Sequence, residues 1–326
     1  MKLRAGPLLT LGLMLLGTPV TTTAEAQEEV RRIGILWGGA QSAGVFQEFR
    51  EALRELGWRD GENVVVEHRI AEGRYERLAP MARELVDLRV RVILTVQSPS
   101  TIAAKQATST IPIVMVGNGD PVRYGLVTNL ARPEANVTGL SFLVNEVGVK
   151  LLELLKEAVP RAERVAVFVN PTNPGAAPFL EALQGVAPQL RVTIRPVEVT
   201  RPDDFDRVFA ALARERVDAM HLAPEGLIGS QRRRILDFAA TQRLPVAGVG
   251  SAFVESGALL SYSPHVPTIW RRAAWYVDKL LKGRKPGDLP VEQPAKFEFV
   301  VNLKTAKDLG LAIPQSVLIR ADRVIQ

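Results

Sequence analysis

Short apolar runs alternate with amphipathic segments from Arg31 to about Gly257, and this alternation constrains the fold more than any other feature of the chain. Apolar runs of about four to eight residues bounded by turn residues are typical of buried strands. A strand–helix rhythm predicts an α/β fold with parallel sheets covered by helices on both faces. The predicted strands are Ile33–Trp37, Val64–Arg69, Val92–Val96, Ile113–Val116, Val165–Val169, Arg191–Val197, Ala219–Leu222 and Val246–Val249.

Apolar stripes and end signals predict the helices. The first covers Ser42 to Leu56, with Ser42 as its N-cap and Gly57 ending it, and a second covers about Tyr75 to Leu88. After Ser261 the alternation stops. Three further elements are predicted there: a helix from Pro267 to Gly283, an extended stretch from Pro290 to Asn302, and a short helix around Thr305–Leu309.

The chain also contains an internal echo. The segments 32–37 and 164–169 are both strands that run into a loop rich in Gly, Asn or Pro and then into a helix. Two doubly wound, Rossmann-like lobes explain this repetition better than one large sheet. The late helix and strand predict further crossings between the lobes, which form a multi-strand hinge. The predicted division is 30–140 plus 264–290 for one lobe and 141–263 plus 291–326 for the other.

Residues 1–26 have the three parts of a secretory signal peptide. Two basic residues, Lys2 and Arg4, precede the apolar run Leu8–Val20, and an Ala-x-Ala cleavage site ends at Ala26. The run is shorter than the roughly 20 apolar residues that a membrane span requires. Since the chain has no cysteine, the sequence predicts no lipid anchor on a cysteine. We therefore expect a mature protein that is soluble in the periplasm.

Composition and motifs argue against several classes of function. The formal net charge is +6, but the basic residues are scattered, and their densest run, 232–234, falls on a predicted helix. No glycine-rich dinucleotide or phosphate motif follows a predicted strand. The histidines, His68, His221 and His265, lack metal-ligand spacing. The sequence therefore predicts no enzyme activity, no cofactor, no metal and no nucleic-acid partner.

Polar and glycine-rich loops follow the predicted strands in both halves. Because open α/β sheets bind ligands at the carboxyl ends of their strands, we expect these loops to line a cleft between the lobes. Ser98 as N-cap and Pro99 at the first helical position would open a helix whose N–H groups hold an anion together with Ser100. The predicted ligand-binding residues are Trp37, Gly38, Gln97, Ser98, Ser100, Asp120, Asn170, Thr172, Glu225 and Ser251.

Three of these residues have roles that the sequence leaves open. Asp120 suits pairing with an amino group, because a cleft lowers the local dielectric constant, and it equally suits a turn cap ahead of Pro121. Glu225 is the second candidate for holding a cationic group. Trp37 suits stacking on a planar ligand, although packing of a large apolar residue at a strand end is slightly favoured.

Several longer motifs resemble one family. They are Ile111–Val122, Gly125–Val127, Leu130–Pro133, Asn136–Ser141, Asn170–Gly175, Ser230–Arg234, Arg271–Ala274, Tyr276–Asp278, Leu289–Pro294, Asn302–Ala306 and Arg320–Asp322. Together they closely resemble the ABC-transporter substrate-binding family that includes tryptophan/tyrosine-binding members, and the resemblance covers essentially the whole mature chain.

The resemblance implies the type I periplasmic-binding-protein fold, with two lobes and three crossover strands. It also implies a solute-binding subunit that works with a permease and an ATPase. The expected ligand is an amino acid or another small solute that is aromatic or bears a carboxylate, and the expected state is a monomer. A periplasmic ligand-sensing module for a membrane receptor is the alternative, since the fold alone does not separate the two.

Two positions depart from the family pattern. Glu134-Ala135 stand where the family usually has two glycines, and Gln97-Ser98 stand where it often has Gly-Thr or a similar small pair. Because the loop of Gln97 is expected to touch the ligand, the resemblance does not carry aromatic specificity over to this chain.

Overall fold

The computed structural model describes residues 30–40 and 46–326, which form two α/β lobes. The predicted signal peptide, residues 1–26, lies outside the described residues, and so does Ser42, the predicted N-cap of the first helix. Within the described residues, no helix is both long enough and apolar enough to cross a membrane.

Strands and helices alternate along most of the chain. In chain order they are β1 (Arg31–Trp37), α1 (Gln47–Glu55), β2 (Val64–Ile70), α2 (Leu78–Asp87), β3 (Val92–Val96), α3 (Ser98–Ala107), β4 (Ile113–Asn118), β5 (Val137–Ser141), α4 (Val144–Ala158), β6 (Arg164–Val169), α5 (Ala176–Leu190), β7 (Thr193–Glu198), α6 (Phe205–Leu212), β8 (Ala219–Leu222), α7 (Gly226–Ser230), α8 (Arg232–Thr241), β9 (Val246–Gly248), α9 (Ser251–Glu255), β10 (Leu260–Pro264), α10 (Val266–Leu281), β11 (Phe297–Asn302), α11 (Leu303–Leu309), α12 (Gln315–Leu318) and β12 (Arg323–Ile325).

The two sheets repeat one strand order. Lobe 1 is built on the parallel sheet β2-β1-β3-β4-β5, and lobe 2 is built on a sheet that contains β7-β6-β8-β9-β10 in the same arrangement. The echoing segments form β1 and β6, which hold equivalent places in the two sheets. Strand β3 is buried at every position because helices cover both faces of its sheet. The prediction of two doubly wound lobes is confirmed.

Strand β11 differs from the expectation of wholly parallel sheets. It pairs antiparallel with β10 and parallel with β12, at the far edge of the lobe 2 sheet. The reason is its connection, since the chain reaches β11 from lobe 1 and therefore enters the sheet from the opposite end. Strand β7 starts later than predicted, because Arg191 is the C-cap of α5 with a left-handed φ of 52°.

Helices cover both faces of the lobe 1 sheet. One core contains residues of α1 and α10, and a second core on the opposite face contains residues of α2 and α3. The apolar stripe of α10, which includes Ile269, Ala273 and Tyr276, is buried against this sheet. Helix α10 thus returns to lobe 1 from lobe 2. The residue numbers at which the lobes divide stay a prediction.

The connections between the lobes lie close together. In residues 46–326 the chain crosses between β5 and α4, between β10 and α10, and between Glu292 and β11. The first and last crossings touch, because the Ser141 N–H donates to the Glu292 carbonyl at 2.9 Å. Arg272 also binds both carboxylate oxygens of Glu292, at 2.6 and 2.8 Å. These contacts make the connections one hinge.

Candidate functional site

A cavity lies between the lobes at the carboxyl ends of the strands. Its empty space is about 420 Å³, including its open mouth. In lobe 1 the lining follows β3 and β4, and in lobe 2 it follows β6 and β8, at the edge where open α/β sheets bind ligands. The lining includes Gln97, Ser98, Gly117, Gly119 and Tyr124 from lobe 1, and Asn170, Asn173, Phe179, Pro224 and Glu225 from lobe 2.

Glu225 is the acidic residue of this lining. It precedes α7 as its N-cap, and its carboxylate accepts the N–H of Ile228 at 3.1 Å. The other oxygen accepts the hydroxyl of Tyr75 from lobe 1 and the amide of Asn170 at 3.4 Å. Only 6% of Glu225 is exposed. A carboxylate is stable at this depth because donors surround it.

The pair of Tyr75 and Glu225 has altered proton affinities. Burial and then the charge of Glu225 raise the pKa of Tyr75 well above its ordinary value, so the phenol stays protonated and donates. Burial also raises the pKa of Glu225, against the opposing effect of its hydrogen bonds, the largest of which comes from Tyr75. Both shifts favour the protonated forms, so the hydrogen bond between Tyr75 and Glu225 keeps its proton.

Asn170 connects Glu225 to the loop after β6. Its side-chain oxygen accepts the backbone N–H of Thr172 at 3.0 Å and the hydroxyl of Thr172 at 2.7 Å. This fixes which end of the amide faces Glu225. Thr172 therefore orients Asn170, and Thr172 itself is not among the lining residues.

Helix α3 begins one residue earlier than the capping prediction required. Ser98 was expected to be its N-cap, but Gln97 holds that position and Ser98 is the first helical residue. The reason is the backbone of Gln97, whose φ of 68° cannot continue into the helix. Ser98 still lines the cavity, with 4% of its surface exposed. Ser100 lies behind it and accepts the Gly38 N–H at 3.1 Å.

Asp120 occupies a turn on the surface. One of its carboxylate oxygens accepts the N–H of Val122 at 3.1 Å and that of Arg123 at 3.0 Å, and the residue is exposed. Of the two interpretations that the sequence left open, the structure thus displays the turn cap. Asp120 is not among the residues that line the cavity.

Trp37, Gly38 and Ser251 also lie outside the lining. The ring of Trp37 packs edge-on against Phe46, with their centroids 5.7 Å apart, which is the packing alternative. Gly38 permits a close approach, since a Cβ there would lie 2.5 Å from the ring of Tyr75. Ser251 begins α9. Of the ten predicted residues, the cavity brings together Gln97, Ser98, Asn170 and Glu225.

Sequence reasoning missed the aromatic residues of the cleft. Tyr75 lies in a short 3-10 turn before α2, within the predicted helix, and nothing local indicates that it contacts lobe 2. Tyr124 follows the Gly-Asn-Gly-Asp loop closely, which is a signal that could have identified it. Phe179 lies in α5, where its apolar character indicates only a buried helix face.

The two lobes contact each other around the cavity. Besides the bond between Tyr75 and Glu225, the Gln97 amide donates to the Pro224 carbonyl at 3.3 Å. At the surface, Arg74 pairs with Asp203 at 3.5 Å, and Arg123 lies 3.9 Å from Glu181. The structure is therefore in a closed arrangement.

The electrostatics of the lining favour a ligand with hydrogen-bond donors. Glu225 supplies a carboxylate, and none of the described residues in the lining is Lys, Arg or His. Elsewhere in the described part of the chain, no group of three or more His, Asp or Glu side chains is arranged to hold a metal ion. An anionic group in the cavity would depend on N–H and hydroxyl donors.

Comparison with known proteins identifies the family. The family described as ABC transporter substrate binding protein matches residues 40–325, which is most of the chain. The chain belongs to this family. It is a small-molecule-binding subunit, as the resemblance of its motifs implied. This substrate-binding protein is also 26% identical over 263 residues to the tyrosine-binding protein of Clostridioides difficile, a match that covers 81% of this chain and 75% of that protein.

Solved structures of similar proteins have the type I fold that the resemblance implied. A protein from Streptococcus pneumonia in complex with L-Trp is 24% identical, with a TM-score of 0.83, covering 90% of this chain and 99% of the other. A ligand-free, open substrate-binding protein from Clostridium difficile is 26% identical, with a TM-score of 0.61, covering 91% and 100%. The lower score with the open structure agrees with the closed arrangement of the lobes in this chain.

Proposed function

We propose that this substrate-binding protein captures an aromatic amino acid between its lobes and delivers it to the permease of an ABC importer, whose ATPase drives uptake. The observation that carries the proposal is the cavity that both lobes line and close upon. A ligand that contacts both lobes stabilises the closed state more than the open state, and closure then follows from this difference in affinity.

The lining supports an amino acid as the ligand. Glu225 provides negative potential that favours an ammonium group, and α3 begins at Ser98 in the same lining, so the positive end of the helix favours a carboxylate. Tyr124 and Phe179 supply aromatic surface. One relative is named for tyrosine binding and one similar structure contains L-Trp, which supports an aromatic side chain.

We further propose that the protein works as a periplasmic monomer and catalyses no reaction. Residues 1–26 would direct its export and then be removed. The proposed ligand contacts are Gln97, Ser98, Asn170 and Glu225, with Tyr124 and Phe179 as the aromatic walls. Closure around the ligand would present both lobes together to the permease.

Calorimetric titration with L-tyrosine and L-tryptophan tests this proposal. Two analogues serve as controls: 3-(4-hydroxyphenyl)propionate lacks the amino group of tyrosine, and tyramine lacks its carboxylate. We expect at least one of the two amino acids to bind, and each analogue to bind at least about tenfold more weakly, since buried polar groups left without partners cost about 1–3 kcal/mol. A protein that binds neither amino acid but binds a sugar contradicts the proposal.

Small-angle X-ray scattering tests closure separately. We expect the free protein to populate open forms and to become more compact when it is saturated with ligand. A radius of gyration that does not change on saturation contradicts ligand-driven closure, while leaving the identity of the ligand to the titration.

A further inference from the structure

Gln97 has a backbone conformation that is almost restricted to glycine. Its φ is 68° and its ψ is 160°, a region in which side chains of L-residues are strained. Such strain persists only where the surrounding structure enforces it, and it is common at functional sites. Gln97 directly follows β3 and lines the cavity, so the strained residue is also one that the ligand meets.

The side chain of Gln97 extends from lobe 1 to lobe 2. Its nitrogen donates to the Pro224 carbonyl at 3.3 Å. This contact fixes the orientation of the amide, because a carbonyl accepts only and the nitrogen must therefore face it. The oxygen, Oε1, is then buried and has no hydrogen-bond partner. A buried acceptor without a partner is unfavourable.

The same oxygen lies beside the polar contacts of Glu225. A Cβ on Gly226 would be 2.9 Å from Oε1 of Gln97 and 3.0 Å from the hydroxyl of Tyr75. The Tyr75 hydroxyl in turn donates to Glu225 and accepts the Gly226 N–H at 3.2 Å. Oε1 therefore belongs to the wall of the cleft that carries negative potential.

The carboxylates of the cleft region already have donors. Both oxygens of Glu225 accept hydrogen bonds, from Tyr75, Asn170 and Ile228. Asp120 accepts two backbone N–H groups on the surface. Oε1 of Gln97 is thus the buried acceptor in this lining that still requires a donor.

We propose that Gln97 determines the specificity of the cavity, by accepting a hydrogen bond from the ligand's ammonium group at Oε1 and by limiting the size of the ligand with its side chain. This inference rests on the proposed function. Glu225 then acts at a distance through its charge, while Gln97 makes the direct contact. A glycine at this position would relieve the backbone and enlarge the cavity.

Two variants separate these roles. Gln97→Met keeps the length of the side chain and removes the acceptor, whereas Gln97→Gly removes the whole side chain and the strain. Gln106→Met is the matched control, because Gln106 lies on the same helix and is exposed. The probes are L-tyrosine, L-tryptophan and 3-(4-hydroxyphenyl)propionate, titrated by calorimetry against each variant, with thermal unfolding of the free proteins measured in parallel.

For Gln97→Met we expect L-tyrosine to bind about tenfold more weakly, as for one lost hydrogen bond of about 1.4 kcal/mol. The propionate analogue has no amino group, so Gln97→Met should weaken its binding less than that of L-tyrosine, only through the lost bond to the Pro224 carbonyl. The Gln106→Met control should leave the affinity for both ligands unchanged. For Gln97→Gly we expect the affinity for L-tryptophan relative to L-tyrosine to rise at least about fivefold, with no loss of thermal stability.

Equal losses for L-tyrosine and the analogue would mean that Gln97 only supports the fold, which overturns the proposal. Unchanged affinity for L-tyrosine in Gln97→Met overturns it as well. If the parent binds neither aromatic amino acid, the proposed function fails, and the variants are titrated with the strongest binder from a panel of other amino acids, amines and purines. A loss of that binder in Gln97→Met upholds the role of Gln97. No loss, or a parent that binds nothing in the panel, overturns it.

Discussion

The loops after β3 and β8 hold equivalent places in the two sheets, yet they carry different chemistry. The lobe 2 loop presents Glu225, whose carboxylate is buried and fully supplied with donors. The lobe 1 loop presents Gln97, which is strained and has an acceptor without a partner. The two loops meet where Gln97 donates to Pro224.

This difference indicates a division of labour between similar lobes. The lobe 2 edge is held in place by its own hydrogen bonds, so it is a preformed wall. The lobe 1 edge reaches across with Tyr75 and Gln97, and these contacts exist only when the lobes are closed. Substitutions in this lobe 2 wall should therefore reduce folding stability, whereas substitutions of Tyr75 or Gln97 should mainly reduce ligand affinity.

The largest effect is expected for Glu225→Ala. It leaves the Tyr75 hydroxyl, the Asn170 amide and the Ile228 N–H without their acceptor, so the free energy of unfolding should fall by about 2–5 kcal/mol. Asp120→Ala is the matched control, because its carboxylate is exposed and should cost at most about 1–2 kcal/mol as a lost cap. Urea denaturation measures both, and equal losses would contradict the division between the lobes.

Acid should destabilise lobe 2 through His221, on the strand that leads to Glu225. Burial lowers the pKa of His221 from 6.5 to about 4, and its Nε2–H donates to the Gly148 carbonyl at 3.0 Å. Between these two pKa values the unfolded chain binds the proton and the folded chain does not. Stability is therefore present above about pH 6.5 and is lost as the pH falls toward 4, by up to about 3 kcal/mol.

The variant His221→Gln tests this assignment, because glutamine keeps a donor but does not titrate. Urea denaturation at several pH values between 4 and 7 should give a flatter dependence of unfolding free energy in the variant than in the parent. Parallel curves would assign the acid sensitivity to other groups.

The next effect on unfolding stability is expected for a substitution that crowds Phe179 behind the cavity. A Cβ on Gly148 of α4 would lie 2.3 Å from the ring of Phe179, which is 1% exposed and lines the cavity. Gly148→Ala should therefore lower the free energy of unfolding by about 1–3 kcal/mol through overpacking. Gly185→Ala in α5 meets no atom within 4 Å and should instead stabilise by about 0.5–1 kcal/mol. Thermal melts of the two helical variants should move in opposite directions.

The smallest effect is expected for Tyr75→Phe. It removes the hydroxyl that joins the lobes, so ligand affinity should fall by about 0.5–1.5 kcal/mol, while the free energy of unfolding changes less. Tyr262→Phe, on β10 and outside the cavity lining, should leave the affinity unchanged. A loss in unfolding stability as large as that of Glu225→Ala would place Tyr75 in the preformed wall instead.

The sequence by itself determined the architecture of this protein. Strand β3 was predicted with its observed bounds, because an apolar run punctuated by turn residues has few alternatives in a buried sheet. The apolar stripe of α10 likewise predicted that helix correctly. The similar sequences of β1 and β6 correctly predicted the two lobes. These features depend on local periodicity, which any single segment displays without its neighbours.

Only the tertiary structure decided how the cleft is built. The partners Tyr75 and Glu225 are 150 residues apart in sequence, and no local pattern links them. Asp120 and Glu225 both follow strands, but backbone N–H groups of its own turn satisfy the first, whereas donors from both lobes satisfy the second. The antiparallel entry of β11 also follows from the path of the chain. Periodicity specifies which residues are buried, whereas the docking of the lobes specifies which polar groups meet.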